Sequence, residues 1–549
     1  MHPRTPLLAL LSTTGLSLPA LAGDPVLTPN GTEGDAVTDL GNLVRADNVA
    51  IDNAGNLYGE WDTSFISTNQ DQVLLRNGVV LFQEGQDLPL PVGAGLGSFD
   101  SIVPNDLGDV AYNFFLDNSA SGFDSGVYVN DVLVIQEGDD APPPFSAGTI
   151  WRGFFDVKLN DANQLLVTGT VDDPLIASSV DEVMILFDLD ANFDVIGSTV
   201  IAAEANMTPF NTLITGLEDS SQEVALNDTG NVMWAADTDG LPDFDGFISI
   251  DGTPIAIEGS PSPLAGINWG SLSSPELDLN NNGEFVYSGT LDVLDSATNA
   301  VLVKNDTIFR REGDSPPGLP QFALTSFGTA PLLINDLGEV LWYGDWDDLN
   351  TDRDSGLFIE NTLLLQEGDT VNGQVVDTIR GITDGYYMSD DGTQIAVRVQ
   401  YDGGVDGIVV ITREGQTVSF NGCIPNVPTL DVTAGEPTIG ESTTFEMGTS
   451  PYPSALAAIY FSGARLDNGI GCGLFLPGIG EVLLDLASFD ANVSLPNFNG
   501  APTSIQVDWP STPLLIGFDI YFQGLFIDAT LASPTPASVT NAIELCFGV

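Results

Sequence analysis

The sequence predicts an all-β protein: about seven tandem repeats folded as a β-propeller, followed by a small β-sandwich. Three observations carry this. A turn built on Asn or Asp, usually closed by Gly, recurs along residues 52–392 at intervals of about 53 to 55 residues, one interval being longer. Apolar and polar residues alternate after each turn, as in Glu339-Val340-Leu341-Trp342-Tyr343, which is the period of a half-buried strand. After residue 415 the repeat stops, and Pro425, Pro428, Pro437, Pro451 and Pro453 mark a new composition.

The chain opens on Arg4, a run of mostly apolar residues over 7–18, and Ala20-Leu21-Ala22, a small-x-small cleavage site. Residues 1–22 therefore read as a secretory signal peptide, which places the mature protein outside the cell or at its surface. No Cys follows the apolar run where a bacterial lipoprotein would carry its lipid, and no later stretch has the length of a membrane-spanning helix. Membrane insertion is not expected. The propeller is assigned to residues 23–420 and the sandwich to residues 421–549.

The recurring turns are Asp52-Asn53-Ala54-Gly55, Asn105-Asp106-Leu107-Gly108, Asn160-Asp161-Ala162-Asn163 and Asn227-Asp228-Thr229-Gly230. They continue as Asn280-Asn281-Asn282-Gly283, Asn335-Asp336-Leu337-Gly338 and Ser389-Asp390-Asp391-Gly392. An Asn or Asp side chain that bonds to the backbone two residues on opens a tight turn, and Gly or Asn takes the left-handed position that closes it. The second half of each block is another hairpin. In residues 126–139, two apolar strands flank Asn130-Asp131 and end on Glu137-Gly138-Asp139; residues 356–369 repeat the pattern around Glu360-Asn361. Glu258-Gly259, Glu312-Gly313-Asp314 and Glu414-Gly415 close other copies, and an additional Glu33-Gly34-Asp35 precedes the first full block. Each block supplies about four short strands with an apolar face that only a neighbouring block can cover. Radial stacking closes a ring, with the strand before Glu33 completing the last blade; an open β-solenoid is the alternative.

Charge and composition limit the chemistry. With 77 acidic residues against 13 basic ones, the formal charge is −64. Such a surface repels nucleic acid and anionic membranes, attracts divalent cations, and suits a saline medium that screens its self-repulsion. The single His is His2, within the signal segment. Ser-His-Asp triads, Cys-His dyads and His-ligated metals are thereby excluded from the mature chain. The chain is expected to be a monomer.

Asp188-Leu189-Asp190-Ala191-Asn192-Phe193-Asp194 places oxygen side chains at alternate positions, so Asp188, Asp190, Asn192 and Asp194 form a candidate calcium loop. Residues 237–245 and 278–283 are weaker relatives. Ordinary turn chemistry also demands Asp, Asn and Gly, and competes with that reading. Calcium is the one cofactor considered, for stability.

The block Ile334-Asn335-Asp336-Leu337-Gly338-Glu339-Val340, then Gly356-Leu357-Phe358, then Gln366-Glu367-Gly368-Asp369, resembles a repeat of uncharacterised secreted bacterial propeller-like proteins over roughly residues 24–420. The C-terminal region resembles a common module of secreted bacterial proteins, through Gly422-Cys423, Pro437-Thr438-Ile439-Gly440, Gly471-Cys472, Leu515-Ile516-Gly517 and Tyr521-Phe522-Gln523. The resemblance implies no activity. It implies a Cys423–Cys472 disulfide with Cys546 left over, while the sequence by itself permits Cys472–Cys546 equally. Trp509, Phe518, Tyr521, Phe522 and Phe526 are read as core, with sugar stacking as the competing role.

The functional expectation is a secreted, non-catalytic binding or structural protein with an extracellular glycan or protein ligand and no nucleic-acid partner. The alternative is a His-free glycan hydrolase or lyase that uses carboxylates in the propeller pocket. No short motif singles out a catalytic pair.

Overall fold

A computed structural model describes residues 26–413 apart from 175–179, 218–221 and 242–243, and beyond them the strands and some of the connections of the C-terminal region. The proposed signal segment, Glu414-Gly415, Cys423 and Cys472 lie outside the described residues. Among the described residues strands account for nearly all the regular structure, beside one short 3₁₀ turn, Ser296–Thr298. The chain separates into two compact units, residues 27–412 and residues 413–549 joined by the first 26.

The first unit contains seven antiparallel sheets in sequence order, a β-propeller with one sheet per repeat. The second blade shows the plan: Gly95–Pro104 innermost, then Val110–Asp117, Ser125–Val129 and Val132–Gln136 outermost. Its Asn105-Asp106-Leu107-Gly108 turn joins the inner two strands, with Gly108 at φ +84°. Asn130, at φ +54°, opens the outer hairpin. That Asn does more than tolerate a left-handed backbone. Its Oδ1 accepts the Val110 N–H at 3.1 Å and its Nδ2 donates to Asp109 at 2.8 Å, which locks the inner turn to the outer one. Asn77, Asp251, Asn305 and Glu360 repeat the first of these contacts in their own blades.

The Glu-Gly-Asp segments stitch each blade to the next. The Glu137 carboxylate accepts the Asp124 N–H of the loop between the middle strands at 3.1 Å. Gly138, at φ +88°, donates its N–H to Trp151 O on the inner strand of the third blade at 2.9 Å. Gly85, Gly259, Gly313 and Gly368 donate in the same way. The seventh blade takes its outer strand from the N-terminus: Val26–Thr32 pairs with Val405–Thr412. Glu33-Gly34-Asp35 is therefore the closing segment of the last blade, and Gly34 donates to Leu43 O of the first.

Apolar faces pack between successive blades. Trp151, Val167 and Ile185 of the third blade share a core with Val103, Val127 and Val129 of the second. Val286 and Leu302 of the fifth pack with Trp342 and Phe358 of the sixth.

The inner strands of the first three blades are continuous, but those of the fourth to seventh are interrupted. Ile214–Leu217 and Val224–Leu226 both pair with Val232–Thr238, and the pattern repeats up to Gln374–Ile379 and Tyr386–Met388. Described residues of these interruptions, among them Gln222, Leu332 and Thr383, line the cavity described below.

The second unit holds a five-stranded sheet, in the order Gln416–Phe420, Ala537–Cys546, Asp519–Asp528, Ala455–Ser462, Phe489–Leu495, and a three-stranded sheet, Leu430–Ala434, Ser442–Met447, Thr503–Asp508. Their shared core contains Phe445, Met447, Ile459, Trp509, Phe522 and Phe526. Trp509 Nε1 donates to the Thr443 hydroxyl at 2.8 Å. Trp509, Phe522 and Phe526 are buried, as the core reading expected; Tyr521 is only half-buried, and Phe518 lies outside the described residues.

Candidate functional site: the axial belt and cavity

The seven inner turns form a belt around the propeller axis. In the first six turns its chemistry sits on the second residue, which links to the corresponding turn one blade away; the seventh turn uses the Asp390 carbonyl and the Asp391 N–H. Asp106 N–H donates to Asp161 Oδ1 at 3.0 Å, Asp161 N–H to Asp228 at 2.8 Å, and Asp228 N–H to Asn281 at 2.7 Å. Asn281 N–H donates to Asp336 Oδ1 at 2.9 Å, and Asp336 N–H to the Asp390 carbonyl at 2.8 Å. Asp391 N–H donates to Asn53 Oδ1 at 3.0 Å, and Asn53 Nδ2 to Asp106, which closes the circle.

A second set of links comes from the first residue. Asn160, Asn227 and Asn280 each donate Nδ2 to the carbonyl of the next first residue, at 2.8, 3.0 and 2.8 Å. The Oδ1 of each meanwhile accepts the N–H four residues on in its own turn.

Above the belt lies a cavity of about 310 Å³. Nine aspartates line it (Asp100, Asp106, Asp156, Asp161, Asp228, Asp278, Asp336, Asp384 and Asp390), with Lys158 as the one basic lining residue among those described. Lys158 Nζ lies 3.2 Å from Asp156 Oδ2. Phe155 and Tyr387 add aromatic surface. Gln222 of the fourth blade spans toward the sixth and seventh: its amide sits 3.1 Å from Thr329 O and 3.2 to 3.3 Å from the Asp384 N–H and the Thr383 hydroxyl. The Tyr386 hydroxyl donates to Pro331 O.

Crowding of carboxylates in a poorly solvated space raises their pKa values. Burial, then the charges of Asp161, Asp391 and Asp228, pushes Asp106 up to about 7. Burial raises Asp278 to about 6 even though its carboxylate accepts the Ile334 and Leu279 N–H groups. Asp100 rises to about 6, through burial and then Asp156 and Asp384. Asp390 is open to the cavity yet enclosed by protein, and rises well above the carboxylate range. Glu60, beside the cavity on the first blade, rises to about 8 through burial and then Asp47, while Asn48 donates to it at 2.8 Å.

The candidate calcium residues are elsewhere. Asp190, Asn192 and Asp194 occupy the outermost turn of the third blade, between Glu182–Leu189 and Val195–Ala203. Asp190 Oδ1 accepts the N–H groups of Asn192 at 2.7 Å and Asp194 at 3.1 Å, which pulls its pKa down, and Phe193 takes φ +63°. Asp188 accepts Gln164 Nε2 at 2.9 Å. Among the described residues no three His, Cys, Asp or Glu side chains are grouped as metal ligands. The turn contacts account for Asp190 without an ion; they do not speak against one. The proposed Cys423–Cys472 pair falls outside the described residues.

The sequence pointed to these axial aspartates only as turn formers. Asp278 was visible within a weak calcium-like stretch, but Asp100, Asp156, Lys158 and Gln222 gave no local signal. Their alignment toward one axis follows from the ring.

No family model matches the chain, and no curated protein matches it. Among solved structures it is similar to PorZ, a bacterial surface component of the type-IX secretion system of Porphyromonas gingivalis, at 10% identity and a TM-score of 0.28, over 90% of this chain and 51% of that one. It is similar to Trypanosoma rangeli sialidase at 10% identity and a TM-score of 0.26, over 95% of each chain. It is also similar to puromycin hydrolase at 13% identity and a TM-score of 0.31, over 72% of this chain and 60% of that one. The chain thus spans about half the length of PorZ. At these values the neighbours say nothing of what this chain binds or turns over. No helix among the described residues is long and apolar enough to cross a membrane.

Proposed function

We propose that this is an exported, non-catalytic binding or structural protein of the extracellular space or cell surface, monomeric, with a glycan or protein ligand. The supporting observation is the engagement of the axial carboxylates. Asp161, Asp228 and Asp336 accept backbone N–H groups from the neighbouring blade, and Asp278 accepts one from Ile334 of the next blade and one from the adjacent Leu279. A carboxylate spent on holding blades together is poorly placed to take up and give back a proton during turnover. The resemblance of the repeats to those of uncharacterised secreted bacterial propeller-like proteins, and the signal-like first 22 residues, support the same reading.

A second reading is kept because Asp100, Asp106 and Asp278 have raised pKa values and face one cavity, as a general acid would. It makes the chain a glycan hydrolase or lyase. Incubating the full chain with a panel of polysaccharides between pH 4 and 8 separates the two. No new reducing or unsaturated ends are expected; release that Asp278→Asn abolishes would establish the enzyme instead.

Calcium is proposed as a stabiliser at the Asp188, Asp190, Asn192 and Asp194 turn, since hard oxygen donors suit it. Millimolar calcium should raise the melting temperature more than magnesium at matched ionic strength, and Asp190→Ala should remove the difference. Equal protection by both ions would reduce the effect to screening.

A further inference from the structure

In each blade the strands alternate in direction, so the inner and outer hairpin turns lie at the belt end. The loops between the second and third strands lie at the other end, together with the connections between blades. Among the described residues at this far end, five blades carry an exposed or half-exposed apolar side chain: Ile66, Phe123, Leu241, Leu294 and Leu349. Ile66, Leu294 and Leu349 are 96%, 110% and 100% exposed. Singly exposed apolar residues need no explanation, but a repeated apolar tip on one face of a ring does. These loops vary in sequence, so the repeat of an apolar tip is not a by-product of the conserved turn letters.

Each tip has an aspartate within four residues: Asp62, Asp124, Asp239, Asp292 or Asp295, and Asp347 or Asp348. Asp62 is paired with Arg45 at 3.3 Å, and Asp239 and Asp347 accept the Leu213 and Ala323 N–H groups while keeping their charge. Beside Leu349, Arg353 is paired with Asp348 at 2.9 Å. The far end is thus a crown of apolar points set in negative charge. Both ends of the propeller's chain, Leu27 and Thr412, fall at the belt end, since the last strand and the N-terminal strand are antiparallel neighbours of the seventh blade.

We propose that this crown is a docking surface for a partner protein whose face carries Lys and Arg around apolar sockets. Charge complementarity selects that occupant. A second copy of a chain at −64, or an anionic membrane, meets the same carboxylates with repulsion. Apolar tips supply the contact energy and the flanking carboxylates supply orientation and encounter rate. The proposal rests on the binding reading given above and names the surface and the chemistry of the partner.

The test uses the full chain and two soluble peptides of equal length and charge as probes, one an amphipathic Leu/Lys helix and the other a Ser/Lys copolymer, titrated in about 0.5 M NaCl to suppress bare charge attraction. The Leu/Lys peptide should bind at least tenfold more tightly. The triple variant Ile66→Ser, Leu294→Ser, Leu349→Ser should melt as the parent does and lose that discrimination. Leu107→Ser, at an exposed apolar position on the belt end, should keep it. Equal binding of both peptides, or discrimination that survives in the triple variant, would overturn the crown. So would phosphatidylcholine-vesicle binding or self-association that the triple variant abolishes, since the tips would then serve lipid or a second copy. Polysaccharide turnover tests the binding reading separately, so failure of the crown without turnover leaves that reading standing.

Discussion

Asn280 shows how much one letter of the repeat carries. Its Oδ1 accepts the Glu284 N–H at 2.9 Å and its Nδ2 donates to Asn335 O at 2.8 Å, so one amide closes its own turn and ties it to the next blade. Both partners are in or beside a buried turn, and losing hydrogen bonds there costs about 1 to 3 kcal/mol each. Asn280→Ala should therefore destabilise the propeller by at least about 1 kcal/mol in chemical denaturation. Asn281 sits between two acids, with Nδ2 at 2.8 Å from Asp228 and 3.0 Å from Asp336. Asn281→Asp removes that bridge and adds a charge, so its penalty should be larger at pH 8 than at pH 5. At this scale the sequence was readable for half the role. Asn, Asp and Gly announce a turn by local chemistry, and the left-handed Gly108 and Gly138 fit it. The second half, the reach of each side chain to a residue some 53 to 55 positions away, is not local and needed the ring to be seen.

Among elements, the N-terminal strand was legible and the inner-strand breaks were not. Glu33-Gly34-Asp35 lacks a preceding block of its own, which pointed to a strand completing the last blade, and Val26–Thr32 pairs there. The closing segment of that blade is therefore Glu33-Gly34-Asp35, so Glu414-Gly415 is not needed for it. A chain beginning at residue 36 would leave Val405–Thr412 as an uncovered edge, and an unpaired edge templates aggregation. Such a truncation should lower the melting temperature and elute partly as aggregate in size-exclusion chromatography; an unchanged melt and a single monomer peak would contradict ring closure by this strand. The interruptions in the inner strands of the fourth to seventh blades had no such signature. Residues 218–223 contain no Pro, and their polarity is ordinary for an acidic chain. Only the position of Gln222 against Thr329 and Thr383 gives them meaning.

At the scale of the whole molecule, the belt gathers carboxylates that the sequence scatters from Asp100 to Asp390, and the result is a pH dependence that no single turn suggests. Asp100, Asp106 and Asp278 have native pKa values near 6, 7 and 6, and burial and its neighbours' charges raise Asp390 well above its ordinary value too, all starting from 3.8. A raised native pKa means that the folded state holds protons the unfolded state has released. The stabilisation from these groups is complete below about pH 4 and is lost as the pH rises through 6 to 7 and beyond. Removing one such charge should recover part of it, about 1 kcal/mol once screening by cavity water is allowed for. Two belt positions, 53 and 281, already carry Asn, so an amide fits the site. The most direct test is the melting temperature from pH 5 to pH 8 for the parent, for Asp106→Asn, and for Asp131→Asn as an exposed control that also removes one charge. A parent melt that falls as pH rises, with a shallower fall in Asp106→Asn than in Asp131→Asn, is the expected result; a melt that rises with pH, or two variants that behave alike, would contradict the belt of crowded structural carboxylates.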